Sequence, residues 1–197
     1  MNLKNIKDAF VININNKDNI CSLIITTIAK SFMLDYNYEK NGISINNSIK
    51  LENNELVIFA KNLNNFILIV SNISIKIYNK NLELISNKYI DEKNKNIKPL
   101  IIKYNKNLSS LFVYSNNKNL TSYKFDTDGN IIETTEIIKN VSLCSFDICK
   151  YFLVYTLWDS NDLFIYSLNT KEINNIEIPE EYLDFTKISS IQIFKHD

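Results

Sequence analysis

The sequence contains no arginine, and only two glycines, two prolines, one histidine and one tryptophan in 197 residues. Each shortage removes a class of function. Without arginine the chain lacks the side chain best suited to bidentate phosphate and guanine contacts. Its 22 lysines are balanced by 22 acidic residues, so no net positive field draws in nucleic acid or an anionic membrane surface. Gly42 and Gly129 alone cannot build a G-x-x-x-x-G-K-[ST] phosphate loop or a G-x-G-x-x-G dinucleotide turn. The single histidine, His196, stands at the far end and leaves no plausible Ser-His-Asp or Cys-His pair for nucleophilic catalysis.

Cys21, Cys144 and Cys149 are an odd number with no C-x-x-C spacing. They read as reduced structural thiols of an intracellular protein rather than zinc ligands, because a tetrahedral site needs four clustered donors. No apolar run approaches the roughly 18 residues of a membrane span. The start, MNLKNIKDAF, carries neither an apolar signal core nor an arginine-rich amphipathic pattern. Glycosylation sequons fall at Asn46, Asn72, Asn107, Asn119 and Asn140, but the chain holds 32 asparagines and 33 isoleucines, and this abundance accounts for them. The composition suggests an AT-rich coding genome more than a functional pressure. Acidic pairs such as Asp159 with Asp162, and Glu180 with Glu181, read as turn and loop residues rather than as glycosidase carboxylates. The expectation is therefore a chain with no catalytic residues, no cofactor and no metal.

What is abundant is alternating apolar sequence. The stretch Tyr151 to Asn169, YFLVYTLWDSNDLFIYSLN, sets two short apolar runs around Asp159, Ser160, Asn161 and Asp162, and predicts a β-hairpin. In its first arm Phe152, Val154 and Trp158 lie on one alternating face and Tyr151, Leu153, Tyr155 and Leu157 on the other, so this strand is expected to be covered on both sides. The same pattern occurs three times upstream: SLIITTIAKSFMLDYN from Ser22, FILIVSNISIKIYN from Phe66, and SSLFVYSNNKNLTSYKFD from Ser109. With Ser22, Phe66, Ser110 and Tyr151 as anchors, the offsets are 44, 44 and 41 residues. A repeat of that length holding four strands is the period of a β-propeller blade.

Each hairpin is preceded by one further strand, DAFVININ from Asp8, NELVIFAKN from Asn54, KPLIIKYN from Lys98 and VSLCSFDI from Val141. Each is followed by another, SINNSIKL from Ser44, LELISNKYI from Leu82, NIIETTEII from Asn130 and KEINNIEI from Lys171. The predicted fold is thus all-β, an arc of four four-stranded antiparallel WD-like blades at about 8–51, 54–90, 98–138 and 141–178. KISSIQIF, at 187–194, stands where the first strand of a further blade belongs. Because four blades are few for a closed propeller and an open arc exposes apolar faces, the chain reads as part of a larger propeller: a fragment, a split gene or a truncated product. Phe66, Phe112, Phe152, Tyr155 and Trp158 are the expected blade anchors, Trp158 as a packing residue rather than a recognition residue. With so few glycines, turn positions needing positive φ are expected to fall largely to asparagine. The polar run DEKNKNIK, Asp91 to Lys98, reads as a solvated loop between blades.

The residues resemble a known family. TLWDSNDLFIYSLNTKEI, from Thr156, is similar to the G-L-W-T-D-x-S-x-R-I-x-x-L segment of the triple-β-propeller family. That family comprises the large subunit of the UV-damaged DNA-binding complex and its paralogues in splicing and in pre-mRNA cleavage and polyadenylation. NLTSYKFDTDGNIIETTEIIKNVSLCSFDI resembles the family's L-x-Y strand, D-P-x-G turn and V-x-C-[LM]-[DS]-[IL] strand. IKDAFVI and SLIITTIAKSFML resemble its first strand and the hairpin that follows. Thr156 stands where the family has glycine, Phe164 where it has arginine, and the first-strand tryptophan is replaced at or beside Phe10.

The resemblance implies a non-catalytic scaffold segment in a nuclear, or nuclear and cytoplasmic, multiprotein complex. Its partners would be other propellers of the same family chain or complex, together with cullin-type ligase components or, alternatively, RNA-processing subunits. An unrelated WD-type interaction module is the third reading. No direct nucleic-acid or membrane contact is expected.

Overall fold

The computed structural model describes residues 6–15, 17–27, 31–49, 51–52, 55–63, 65–94, 96–179, 181 and 190–194. Among them every regular element is a β-strand, and sixteen strands form four antiparallel sheets of four, each made of strands adjacent in sequence. The alternation of β-branched and aromatic residues with polar ones, over runs too short for a helix, produces this result. Sheet one holds β1 (Ile6–Asn15), β2 (Ile20–Thr27), β3 (Ser31–Asn37) and β4 (Gly42–Ile49). Sheet two holds β5 (Val57–Asn62), β6 (Ile67–Ser71), β7 (Ser74–Tyr78) and β8 (Leu84–Tyr89). Sheet three holds β9 (Pro99–Asn105), β10 (Ser110–Ser115), β11 (Leu120–Phe125) and β12 (Ile131–Ile138). Sheet four holds β13 (Leu143–Ile148), β14 (Phe152–Leu157), β15 (Asp162–Ser167) and β16 (Ile173–Glu177). The anchors Ser22, Phe66, Ser110 and Tyr151 all lie in, or directly before, the second strand of their sheets.

The chain divides into two compact units, one of Met1–Lys98 with Asp126–Asn130, the other of Pro99–Phe125 with Ile131–Asp197. In the first unit Ile12, Ile24 and Ile49 of sheet one share a core with Val57, Ile67, Ile69 and Tyr78 of sheet two. In the second, Phe112, Tyr114 and Leu120 of sheet three pack with Leu143, Phe146, Leu153, Tyr155 and Tyr166 of sheet four. Each of these large side chains contributes roughly 1.5–3 kcal/mol by leaving water. Burial is graded across a sheet: β6, β7 and β10 are buried at every residue, whereas β16 is exposed at every residue. The central strands carry the core and the fourth strand faces solvent.

The turns correct one expectation. Positive φ occurs at Asn19, Asn41 and Asn140, but also at Leu82, Ser109, Lys118 and Lys171. Asparagine instead does much of its work at the start of a turn, where its side-chain oxygen takes backbone amides that the turn would leave unpaired. Asn79 Oδ1 accepts from the amides of Asn81 and Glu83, both at 2.9 Å, and so holds the turn that places Leu82 at φ 64°. Asn105 Oδ1 accepts from Asn107 and Leu108 in the same way, just ahead of Ser109. The Asp91 loop is closed likewise, Asp91 Oδ1 accepting from Lys93 and Asn94.

The turn Asp126–Asn130 joins β11 to β12 and belongs to the first unit. Asp126 accepts from the amides of Asp128 and Asn130, and Asn65 Nδ2 donates to the Thr127 carbonyl at 3.1 Å. Gly129 takes φ +91° there, and a Cβ on it would lie 2.7 Å from Ile77 Cγ2 and 3.2 Å from the Phe66 ring. Gly129→Ala is therefore expected to lower the unfolding free energy in urea by about 2 kcal/mol, from combined backbone strain and overpacking. A loss under about 0.5 kcal/mol would mean that the turn shifts away without cost.

Candidate interaction surface

Lys76 sits in the middle of β7, a strand otherwise apolar or hydroxylated, on the same side as Tyr78. An ammonium there has to be paired, since an isolated buried charge is very costly. Its Nζ donates to Glu55 Oε2 from the connection between β4 and β5, and both side chains are almost fully buried. Ser74 Oγ donates to Glu55 Oε1 at 2.7 Å, the Glu52 amide to Glu55 Oε2 at 2.7 Å, and Ser74 in turn meets Ser71 Oγ. Burial alone would raise the Glu55 carboxyl, but the hydrogen bonds from Lys76, Ser71, Ser74 and the Glu52 backbone outweigh it and hold it below its ordinary value of 4.5. Burial first, and then the Glu55 charge, pushes the Tyr78 phenol up to about 12. This is the densest cluster of charged and polar groups among the described residues, and solvent does not reach it. It ties a connection to a hairpin and offers no face to a substrate.

The accessible chemistry lies in the second unit. On β14, Leu153 and Tyr155 point into the core, with the Tyr155 ring stacked on Phe164 at 5.1 Å. On the opposite side exposure is uneven: Phe152 is 44% exposed, Trp158 beyond the strand 60% and Ile176 of β16 49%, whereas Thr156 between them is fully buried. Trp158 lies in the turn after β14, its amide donating to the Ser142 carbonyl. Phe66, Phe112 and Tyr155 are buried, but Phe152 and Trp158 are not. The expectation that these two anchor blade packing is thus corrected, and the cover of β14 is partial: the consecutive Tyr155 and Thr156 are buried on opposite faces, but Phe152 is exposed. The physical reason is position: Phe152 opens the strand and Trp158 lies in the turn beyond it, so neither sits in the covered middle of β14.

Between sheets three and four a cleft of about 460 Å³ opens, floored by Leu108, Phe112, Tyr166 and Leu168 and bordered by Lys124, Lys150, Lys171, Glu133 and Glu136. Its size falls in the range of ligand or peptide pockets. Glu136 is engaged by Lys139 at 2.8 Å, so lysines prevail at the rim. The strand expected at 187–194 falls partly outside the described residues. Residues 190–194 form no strand ladder, but they lie against β13, the Ile191 amide donating to Ser145 Oγ and the Ile193 amide to Asp147 Oδ2. His196 lies outside the described residues. Among those described no group of His, Cys, Asp and Glu could hold a metal ion, and the three cysteines form no disulfide. Asp159 lies in the β14–β15 turn and Asp162 opens β15, where its amide donates to Ser160 Oγ. Among the described residues no helix is long and apolar enough to cross a membrane.

The Glu55–Lys76 pair makes a test. Because the folded-state pKa of Glu55 is lowered, its contribution is fully present above the ordinary carboxyl value and is lost as pH falls through the folded value. The melting temperature is expected to hold near neutral pH and to drop progressively below about pH 4.5. Glu55→Gln should flatten part of that drop and cost about 3–5 kcal/mol at pH 7, since it strands the Lys76 charge. A loss below about 1 kcal/mol in Glu55→Gln would show the pair to be solvated.

No family model matches the sequence, and no curated protein matches it. Solved structures do. The N-terminal domain of Nup159 matches with a TM-score of 0.60 at 16% identity over 94% of this chain and 50% of that one. The Cps50 (Swd1) β-propeller domain of Myceliophthora thermophila matches with a TM-score of 0.58 at 8% identity, over 80% and 56%. A chain of the S. cerevisiae assembly of Dbp5 bound to Nup159 and Gle1 matches with a TM-score of 0.56 at 14% identity, over 88% and 45%. This chain therefore spans about half the length of the structures it matches. At these identities the likeness speaks to fold alone, and the fold is that of β-propeller blades, four in this chain.

Proposed function

We propose that this chain is a non-catalytic segment of a larger β-propeller and that it works by holding protein neighbours. One observation carries the reading: the only tryptophan, together with Phe152 and Ile176, stands exposed on blade four. Exposed aromatic residues beside aliphatic ones mark contact surfaces, because they bury large area at low cost in side-chain entropy. The Glu55–Lys76 cluster is closed to solvent and offers no face to a ligand, which agrees with that reading. The propeller neighbours add to it: a Nup159 chain occurs in an assembly with Dbp5 and Gle1, a protein complex.

The Leu157–Trp158 pair and the Asp126–Gly129 turn support a finer proposal, a nuclear scaffold of the damaged-DNA-binding and RNA-processing propeller family. In the first branch it recruits proteins to a cullin-type ligase. In the second it holds together a splicing or polyadenylation assembly, and an unrelated WD-type module is the remaining reading.

Affinity capture from the native source tests this. Cullin components favour the first branch, splicing or polyadenylation subunits the second, and recovery of neither sets the family reading aside. Trp158 reports the surface directly: its emission should shift to shorter wavelength on partner binding, and Trp158→Ala should weaken that binding by about 2 kcal/mol. Partner affinity unchanged in Trp158→Ala would move the surface elsewhere. Nucleic acid should not bind: with no arginine and no net charge, affinity for a mixed duplex or single strand is expected to be weaker than about 10⁻⁴ M at physiological salt. A micromolar constant that weakens steeply with salt would refute this.

A further inference from the structure

Neighbouring blades in the second unit are tied at their innermost strands by side chains rather than by a backbone ladder. At the seam of β9 and β13 the Asn105 side-chain amide donates to the Ile148 carbonyl at 3.1 Å, and Lys103 Nζ lies 3.7 Å from Asp147 Oδ1. These contacts join residues 43 and 44 positions apart, which is the blade repeat itself.

A second segment meets β13 through the same device. Ser145 and Asp147 are two residues apart and so present their side chains on one face of the strand. Ser145 Oγ accepts from the Ile191 amide at 3.2 Å, and Asp147 Oδ2 from the Ile193 amide at 2.8 Å. Both contacts join residues 46 positions apart, so the segment runs parallel to β13 in constant register. Asp147 thus uses one carboxylate oxygen towards Lys103 and the other towards Ile193. Ile193 also walls a cavity of about 200 Å³ with Tyr104, Asn105, Ile148 and Cys149.

We infer that Ser145 and Asp147 form a strand seat: two side-chain acceptors, one pleat repeat apart, that fix an extended segment parallel to β13. Its occupant is residues 190–194, placed beside β13 where the innermost strand of a fifth blade belongs. Recognition is through main-chain amides, so the seat selects an extended backbone and sets its register, while the alternating Ile191 and Ile193 provide the apolar contact. This deepens the reading of blade four as a contact surface and rests on it only for the identity of the neighbour, a further blade. Carboxylate acceptance from a backbone amide is a charge-assisted bond, so Asp147 is the stronger of the two points.

Amide hydrogen exchange by NMR on the full chain tests the seat. In the unmodified chain the Ile191 and Ile193 amides should exchange at least roughly tenfold more slowly than in an unstructured peptide. The double variant Ser145→Ala with Asp147→Ala should return both to near the unstructured rate, while Val154 and Tyr155 in β14 stay protected. Asp147→Asn keeps an acceptor oxygen and should retain most of the protection at Ile193. Free-peptide exchange at Ile193 in the unmodified chain overturns the inference, and so does protection that survives the double variant. If the double variant unfolds and exposes β14 as well, the unmodified chain and Asp147→Asn still decide the matter. A failed seat would leave partner capture through Trp158 untouched, so the two readings fail separately.

Discussion

A sheet whose central strands are apolar on both faces has to be covered twice, and the rest of this structure follows from that requirement. On β6 the consecutive residues Leu68 and Ile69 point to opposite faces, and both are fully buried. On β10 the same holds for Leu111 and Phe112. No single four-stranded sheet of this composition is stable in water, because one of its two apolar faces would always be wet. Blade therefore packs on blade, and each unit of the chain is a pair of sheets sharing one core. The fourth strands escape the requirement by being polar: β16 reads INNIE and is exposed throughout. Blade four shows what the rule leaves over, with Leu153 buried at zero exposure beside Phe152 at 44%. The exposed Phe152 and Trp158 are the physical basis for reading blade four as a surface made for contact.

Apolar packing between blades is non-directional, and the polar groups at the seams supply direction. Tyr114 Oη donates to the Val141 carbonyl and accepts from the Leu143 amide, each at 3.1 Å, pinning the connection between sheets three and four. Glu55, reached from both the β6–β7 hairpin and the β4–β5 connection, does the same for sheets one and two. A buried ion pair of this kind adds little net stability over an apolar replacement, but losing either partner is costly. Its contribution is to fix which hairpin meets which connection. Asp147 and Ser145 extend the practice to the segment at 190–194.

Parts of this arrangement were legible residue by residue. The four hairpins announced themselves through alternation bounded by polar turns, and the spacing of Ser22, Phe66, Ser110 and Tyr151 placed them in equivalent strands. Lys76, a lone charge inside ISIKIY, did not stand out from the hairpin pattern as a buried group. The partner, Glu55, was not visible, because it lies 21 residues away in a connection with no pattern of its own. The glycine shortage pointed to asparagine in the turns, yet asparagine acts there as often by accepting amides as by adopting positive φ. Local hydrogen bonds then carry Leu82, Ser109, Lys118 and Lys171 into a region their side chains disfavour.

By itself, then, the sequence determined what is encoded at short range: strand identity through period-two alternation, blade count through the repeat, and the absence of phosphate loops through the lack of glycine. Only the tertiary structure decided what depends on neighbours distant in sequence. It left Trp158 and Phe152 exposed while burying Tyr155, although all three stand in one apolar run, because covering a face is a property of the adjacent blade. It paired Glu55 with Lys76 and seated Ile193 on Asp147 across 46 residues, because those contacts arise only after the sheets have stacked. Alternation specifies that a side chain must be buried, and the packing of whole sheets settles which ones are.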